Sequence, residues 1–584
     1  MRILFLHPED SPRRGPWSGQ RWDLIVDLGR SSQFSSEAWQ EIAKAPVLRS
    51  DSFRQGVEDL KQVRKLFSAG MGRLLDEDGI DWWELTSLVI MPEAEAVVVF
   101  QRMISEIGRA DAEIWTTRPG WPGSAIANLL KRPCQSFSQK PSQRLSMYVR
   151  HYGRLLQRFS APKIKEIFLD KYDSGYEWRS RFASRTPPLT APSVLLPSAY
   201  GNVSRMAGDY ARLLPEQSFL LVATRQSGQP SGLPGNVRVR RLGAYAGTED
   251  PAREGAAILE KWTQLKAELV AIPEFAVLSQ AGVMDRFPSW FQDGLRARNA
   301  WRQVLEREPV CGVLCGDDSN FFTRLPVMLA ARRGIATVDF HHGAMDGRYL
   351  LKDLPCDAYL AKTEMERDYL LRACGLPPEK VLLGAPAQAD SPDGGDCSQA
   401  SSLVFFSEPY ENAGMRADEV YREVLPPLCR IAREAGRGLI LKLHPFESLW
   451  ERTRMIRDLL PEGDFHRITV VDGPMSQELL AKAWFGVTVE STTVIDCLLR
   501  GVPCFVCSWL SLSSFGYVQQ YARFGVAHIL RKASELEEIP GRMDVVLDSP
   551  LPTPTTFWKT AEPETLRQLL GVTSATSTAA RRTS

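Results

Sequence analysis

No stretch of the sequence approaches the roughly 18 uninterrupted apolar residues that a helix needs to cross a bilayer, so a membrane-spanning helix is excluded. The opening run Ile3-Leu4-Phe5-Leu6 is too short for a secretory signal, and no small-residue cleavage site follows it. It reads as a first buried strand. A surplus of one charge is missing too. The 71 Lys and Arg stand against 70 Asp and Glu, a net of +1, so the chain as a whole has no pull toward nucleic acid or a membrane; any such pull is local. There is no internal repeat with a period of about 20–50 residues, the mark of solenoids and propellers. A Walker A loop, a Gly-x-Gly-x-x-Gly loop, a serine nucleophile elbow and a His-Glu-x-x-His helix are all absent.

Cysteine is sparse: ten in all, nine of them beyond residue 300. The pairs Cys311/Cys315 and Cys504/Cys507 lie in apolar, strand-like runs where side chains alternate faces, and no His or Cys partner follows at zinc-finger spacing. They read as small buried hydrophobes in a reducing compartment, and no metal is expected.

What is present is ordinary for a globular protein: 44% hydrophobic and 24% charged residues. A length of 584 residues calls for about three or four folding units. Residues 1–136 alternate strands (Ile3–Leu6, Ala112–Thr116) with helical patterns and read as an N-terminal α/β domain. Residues 137–190 form a basic, aromatic linker. Arg150, Arg154 and Arg158 share one helix face there, suited either to solvent or to peripheral contact with an anionic membrane. From Pro192 the α/β alternation is regular. It divides into a first Rossmann-like half at 191–350 and a second at 351–545, followed by a C-terminal extension and disordered tail at 546–584. The fold class expected is therefore α/β, two tandem Rossmann-like domains preceded by an additional N-terminal α/β domain. Ligands of such sheets bind at the carboxyl ends of the strands, and two facing halves imply a cleft.

Three polar clusters fall at those strand ends. In Lys442-Leu443-His444-Pro445 the proline stops the ladder and leaves an imidazole able to donate to a phosphate oxygen; the plainer reading is a strand terminus. Glu490-Ser491-Thr492-Thr493 precedes a helix expected over Val494–Arg500. Hydroxyls there serve either as an N-cap or as part of an anion site, and Glu490 can accept from ribose hydroxyls. His341-His342-Gly343 follows another strand and offers a base that titrates near neutral pH. Asp317-Asp318, at the neighbouring strand end, offers a rival base or an Asx turn and N-cap with Ser319 and Asn320. The loop Pro12-Arg13-Arg14-Gly15-Pro16-Trp17 is either an exposed turn or a contact for an anionic acceptor. Asp81-Trp82-Trp83-Glu84 reads as core packing with a helix start.

In this order the motifs resemble the GT-B transferases that use CMP- or CDP-activated donors: polysialyltransferases, capsule and lipopolysaccharide Kdo transferases, and CDP-glycerol glycerophosphotransferases. The resemblance covers about residues 190–540. It implies that His444, Ser491, Thr492 and Thr493 hold the donor phosphates, with Glu490 and Pro445 at the nucleotide and ribose. It implies His342 as the base, matching a His-Gly motif. The acidic alternative, Asp317 and Asp318, departs from the polysialyltransferase pattern because Ser319 follows where that motif has Gly. The implied function is transfer of a sugar from a nucleotide-activated donor to a hydroxyl of a cell-surface glycan or lipid-linked acceptor. The enzyme would be cytoplasmic or peripheral at the inner face of the membrane, without cofactor, metal or nucleic acid. A CDP-glycerol-type polyol-phosphate transferase, a UDP-sugar 2-epimerase and a non-catalytic GT-B binding module stay open as alternatives.

Overall fold

The computed structural model describes residues 1–8, 10–12, 15–29, 40–41, 43–107, 112–137, 187–224, 232–246, 252–318, 320–343, 356–387, 400–473, 475–510, 517–548 and 557–572. The basic face of Arg150, Arg154 and Arg158, and Arg13 and Arg14 of the N-terminal loop, lie outside the described residues. Among the described residues no helix is long and apolar enough to cross a membrane.

Three parallel sheets carry the fold. The first joins β1 (Arg2–Leu6), β2 (Leu24–Asp27), β3 (Val47–Arg49), β4 (Glu113–Thr116) and β5 (Gln135–Ser136) in the order β3-β2-β1-β4-β5. The second joins β6 (Ser193–Ser198), β7 (Ser218–Ala223), β8 (Val237–Arg241), β9 (Val310–Cys315), β10 (Ala336–Phe340), β11 (Ala358–Ala361) and β12 (Val381–Leu383) in the order β12-β11-β10-β9-β6-β7-β8. The third joins β13 (Ser402–Phe406), β14 (Gly438–Lys442), β15 (Ile468–Val471), β16 (Ala483–Thr488), β17 (Cys504–Cys507) and β18 (His528–Leu530) in the order β15-β14-β13-β16-β17-β18. Counted from its own first strand, the third sheet has the 3-2-1-4-5-6 order of a doubly wound dinucleotide fold. The second adds one strand to that order, and the first lacks its last strand. Two tandem Rossmann-like sheets with an additional N-terminal α/β sheet is thus the architecture. Strands buried on both faces, such as Leu403-Val404-Phe405-Phe406, carry no alternation; the edge strand β8, Val-Arg-Val-Arg-Arg, exposes Arg238 and Arg241, charges that resist pairing with a further strand.

The chain packs as two discontinuous units. One comprises Met1–Asp59, Ala96–Ser138 and Asp390–Phe557; the other comprises Leu60–Glu95, Gln139–Ala389 and Trp558–Ser584. Three sequence boundaries move accordingly. β11 and β12 pair with β10, so the first Rossmann-like sheet extends well past residue 350, because the cross-strand partners of Ala358–Leu360 are Val338–Phe340. Residues 60–95 belong to the second unit rather than to an N-terminal domain. Trp82 and Trp83 are fully buried there among Trp262, Phe287 and Phe291. Asp81 caps that short helix through the Trp83 amide, as the sequence indicates. The C-terminal extension also supplies core: Leu566 and Leu570, in and just after the helix Pro563–Leu569, are buried beside Val194, Leu314 and Val338. Gly312 of β9 leaves the space that the Leu570 carbonyl fills.

In the first unit, Leu4, Leu6, Trp22 and Ile25 of the N-terminal sheet share one core with Leu403 and Phe405 of β13 and with Tyr421, Val424 and Leu428 of the helix Ala417–Glu434. Arg416, just before that helix, is buried against the carboxyl ends of β1 and β2. Its Nη2 and Nη1 donate to the Asp27 carboxylate at 2.9 and 3.1 Å, its Nε to the Asp10 carbonyl at 2.8 Å, and its Nη2 to the His7 carbonyl at 3.1 Å. Removing one member of a buried ion pair leaves the other charge unpaired, at a cost of about 3–5 kcal/mol. Arg416→Ala is expected to lower the unfolding free energy of the unit by that amount in urea titrations. A loss below about 1 kcal/mol would show that water replaces the guanidinium freely.

Candidate functional site

The third sheet places three neighbouring strand ends at one edge. Phe406 of β13 is in register with Lys442 of β14 on one side and Thr488 of β16 on the other. The residues that follow, Ser407-Glu408, Leu443-His444 and Val489-Glu490, therefore leave the sheet together. Between β13 and β16 the strand order reverses, which is the crevice where open α/β sheets take ligands.

His444 is half-buried, and Pro445 beyond it is exposed. Burial, with a smaller push from the Lys442 charge, lowers the imidazole pKa to about 4, so the ring is neutral at physiological pH. The Phe446 backbone N–H donates to Nδ1 at 3.2 Å. In a neutral ring an accepting Nδ1 assigns the proton to Nε2, which makes His444 a hydrogen-bond donor. Glu447 fixes this turn. Its Oε2 accepts the His444 backbone N–H at 2.8 Å, while Oε1 accepts from Arg452 Nε at 2.7 Å, Ser407 Oγ at 2.9 Å and Tyr421 Oη at 3.2 Å. Arg452 is in turn held by Glu411, with Nη1 2.7 Å from Oε1. Sequence reasoning missed Glu447, although a carboxylate three residues after a strand-end His is a visible signal for a side chain closing back on the backbone.

Glu408 was missed as well. Its Oε1 accepts from the Thr488 hydroxyl at 3.0 Å and from the Glu490 amide at 2.8 Å. Burial first, and then the Glu490 charge, pushes its pKa up to about 8. Near neutral pH its carboxyl group carries a proton and is itself a donor. Glu490 therefore stands beside a second carboxyl group, at the position expected to meet ribose.

The helix after Glu490-Ser491-Thr492 is Thr493–Leu498, six residues that begin one position earlier than expected and stop short of Arg500. A dipole that short adds little, so the polarity of this corner comes from side chains and loop amides. Ser491 Oγ accepts the Thr493 N–H at 3.3 Å, the capping role, and its own hydroxyl proton is left to donate elsewhere. Thr492 makes no side-chain cap bond, and Thr493 Oγ1 is buried without a hydrogen-bond partner among the described residues.

In the other unit His341-His342-Gly343 follows β10. The His342 Nδ1 lies 3.3 Å from the Gly316 carbonyl, which can only accept. Nδ1 therefore carries a proton. His341 stacks on His342 with ring centroids 5.0 Å apart, and its Nδ1 lies 3.0 Å from the Gly343 carbonyl. Buried Lys362 holds the His341 carbonyl and pairs with Glu366 at 2.8 Å. Gly316 was not singled out by its sequence. A Cβ there would sit 2.5 Å from Phe340 Cζ and 2.7 Å from Val203 Cγ1, so only glycine lets its carbonyl reach His342.

The acidic pair takes a structural part. Asp318 is fully buried and paired with Arg324 at 2.9 Å, and Arg324 also holds Glu84. Asp317 is buried, its carbonyl accepting from Thr323 Oγ1, while Asn320 caps the helix Phe321–Arg332 by accepting the Phe322 N–H at 3.0 Å. A base for an acceptor hydroxyl has to meet that hydroxyl. A carboxylate sealed against a guanidinium is poorly placed to do so, which favours His342 over Asp318 as the base candidate.

The titrations give opposite pH windows. His444 and His7 have folded pKa values of about 4, below the ordinary 6.5. The stability they contribute is present above 6.5 and is lost as the pH falls through 4, because the unfolded chain takes up the protons first. Glu408 is raised from 4.5 to about 8, so its contribution is present below 4.5 and is lost as the pH rises through 8. In urea unfolding, Glu408→Gln should gain on wild type as the pH goes from 6 to 9, and His444→Gln should flatten the decline below pH 6.5. Parallel pH curves for wild type and both variants would contradict these assignments.

No protein-family model matches the chain, and none of the curated proteins matches it. Among solved structures, the chain is similar to the UDP-GlcNAc 2-epimerase of Neisseria meningitidis bound to UDP-GlcNAc, with a TM-score of 0.40, 11% identity, and 65% of this chain and 99% of that one covered. It is similar to the Methanocaldococcus jannaschii 2-epimerase in complex with UDP-GlcNAc and UDP, with a TM-score of 0.37, 13% identity, and 65% and 98% covered. A glycosyltransferase from Rickettsia africae gives a TM-score of 0.34 at 10% identity, with 65% and 94% covered. Likeness at this level carries no argument of its own, and the architecture stands on the strand orders described above.

Proposed function

We propose that the protein is a glycosyltransferase of the GT-B kind, moving a sugar from a nucleotide-activated donor to a hydroxyl of a surface-glycan or lipid-linked acceptor. The observation that carries this reading is the carboxyl edge of the third sheet, where His444 and the Glu490-Ser491-Thr492 turn leave the sheet on either side of β13 and His444 presents Nε2–H, a donor suited to a phosphate oxygen. In the reaction the acceptor oxygen bonds to the anomeric carbon and gives its proton to a base, the role that the resemblance implies for His342. The bond from that carbon to the donor phosphate breaks, and its electron pair leaves with the nucleotide. The His444 Nε2–H, with the Ser491 and Thr492 hydroxyls, steadies the negative charge that develops there. Glu490 and protonated Glu408 supply an acceptor and a donor for the ribose diol. The reading calls for no cofactor.

The two histidines then fail differently when removed. His444→Ala is expected to weaken binding of the donor nucleotide and to cost about 10²–10³ in turnover. His342→Ala should leave nucleotide affinity unchanged and cost about 10²–10⁴ in turnover. The measurement is calorimetry with CMP, CDP, UDP and GDP, followed by release of free nucleotide from labelled donors with and without glycan acceptors. UDP-GlcNAc is included among the labelled donors. Near wild-type turnover by His444→Ala, with its fold intact by circular dichroism, would remove the basis of the reading. A sugar product formed without any glycoside would point to epimerisation instead.

A further inference from the structure

Among the described residues six large apolar side chains are exposed: Leu75, Val89, Val239, Phe446, Leu449 and Trp450. Three of the six fall within five consecutive positions, and these include both aromatics. Phe446 is 67% exposed and Trp450 52%. Single exposed apolar residues need no explanation, but a cluster of this kind marks a surface that meets something. This one begins two residues after His444. The amide of Phe446 is the group that sets the His444 tautomer, and its ring centroid lies 5.0 Å from the imidazole. The aromatic face and the phosphate donor thus belong to one turn, held by Glu447.

From this we infer that Phe446 is a shelf for the group the donor transfers, and that this group is a ring with a flat apolar C–H face rather than an open polyol. The inference rests on the reading of this strand edge as the donor site. Glu490 follows β16 and His444 follows β14, with β13 between them. Neighbouring strands are about 4.8 Å apart, so the two ends are roughly 10 Å apart. A ribose at Glu490 and its phosphate at His444 fill that span. What lies beyond the phosphate therefore continues past β14, onto Phe446. A benzyl ring offers a broad, weakly polar face with nothing to bond hydroxyls. It is complementary to the C–H face of a sugar ring, whose hydroxyls point outward at the rim, and not to a glycerol or ribitol chain, which turns hydroxyls to every side. Burying this ring only when the sugar is present gives the site a preference for loaded donor over spent nucleotide.

The test compares two affinities in two variants. For whichever of UDP, CDP, CMP and GDP the wild-type protein binds by calorimetry, dissociation constants are measured for the bare nucleotide, its sugar ester and CDP-glycerol. Phe446→Ala, a change at an exposed position, is expected to weaken the sugar ester about tenfold, to leave the bare nucleotide and CDP-glycerol within about twofold, and to be rescued by Phe446→Trp. Equal losses for nucleotide and sugar ester would place the base on the shelf and overturn the inference. An equal loss for CDP-glycerol, or no loss for any ligand, would overturn it too. A wild-type protein that binds none of the nucleotides fails earlier and removes the donor-site reading itself.

Discussion

One guanidinium ties together everything in the first unit. Arg416 stands at the start of the helix Ala417–Glu434, the first helix after β13, and its donors are spent on the Asp27 carboxylate and the carbonyls of His7 and Asp10. Those acceptors sit where the strands β1 and β2 end. In an open doubly wound sheet that edge is where a ligand would find unpaired backbone groups. Here those groups are bonded to the protein's own arginine. The N-terminal sheet thereby serves as a wall behind the third sheet's first helix. That helix in turn brings Tyr421 to Ser407 and Glu447. A buried charge pair at one end of the helix and a hydroxyl at its flank together hold the turn in which His444 sits.

The same logic of fixed partners decides what each histidine can do. A strand-end imidazole in water exchanges its proton between two nitrogens and serves no single purpose. The Phe446 amide removes that freedom at His444, and the Gly316 carbonyl removes it at His342 in the opposite sense. Around His444 burial also removes the charge, so its donor character does not vary across the physiological range. The carboxyl pair at Glu408 and Glu490 is the counterpart on the other flank of β13, where burial first and the neighbouring charge second favour the protonated form of Glu408.

The α/β class and the strand-end placement of the His444, Glu490 and His342 clusters were legible in the sequence, because buried parallel strands write continuous apolar runs that stop where polar residues begin. Membership of strands in sheets was not. Ala358–Ala361 and Val381–Leu383 look like the start of a new alternation, and only cross-strand pairing with β10 assigns them to the old one. The role of Glu408, and that of Glu447 beyond the turn it closes, was not legible for another reason. Their roles depend on donors brought in from positions 40 to 82 residues away, such as Ser407 for Glu447 and Thr488 and Glu490 for Glu408. Asp317-Asp318 shows the converse. Its spacing resembles a catalytic pair, but Arg324, reached through a helix and shared with Glu84 far upstream, turns Asp318 into a structural ion.

The interleaving of the two units bears on how the chain is made. Each unit is assembled from three separate segments, and each needs its last one: residues 390–557 carry the whole third sheet, and residues 558–572 place Leu566 and Leu570 in the core beside β9 and β10. On a ribosome that adds about 5–20 residues per second, β1 waits roughly twenty seconds or more for Arg416, and β9 waits on the order of ten seconds or more for Leu570. During that time the apolar faces that those late segments cover are open. Long-range parallel pairing is slow even in a finished chain. Synthesis therefore exposes sheets with an uncovered apolar face for longer than a sequential two-domain protein of this length would, and the yield of folded protein depends on what shields those faces until the C-terminal segments arrive.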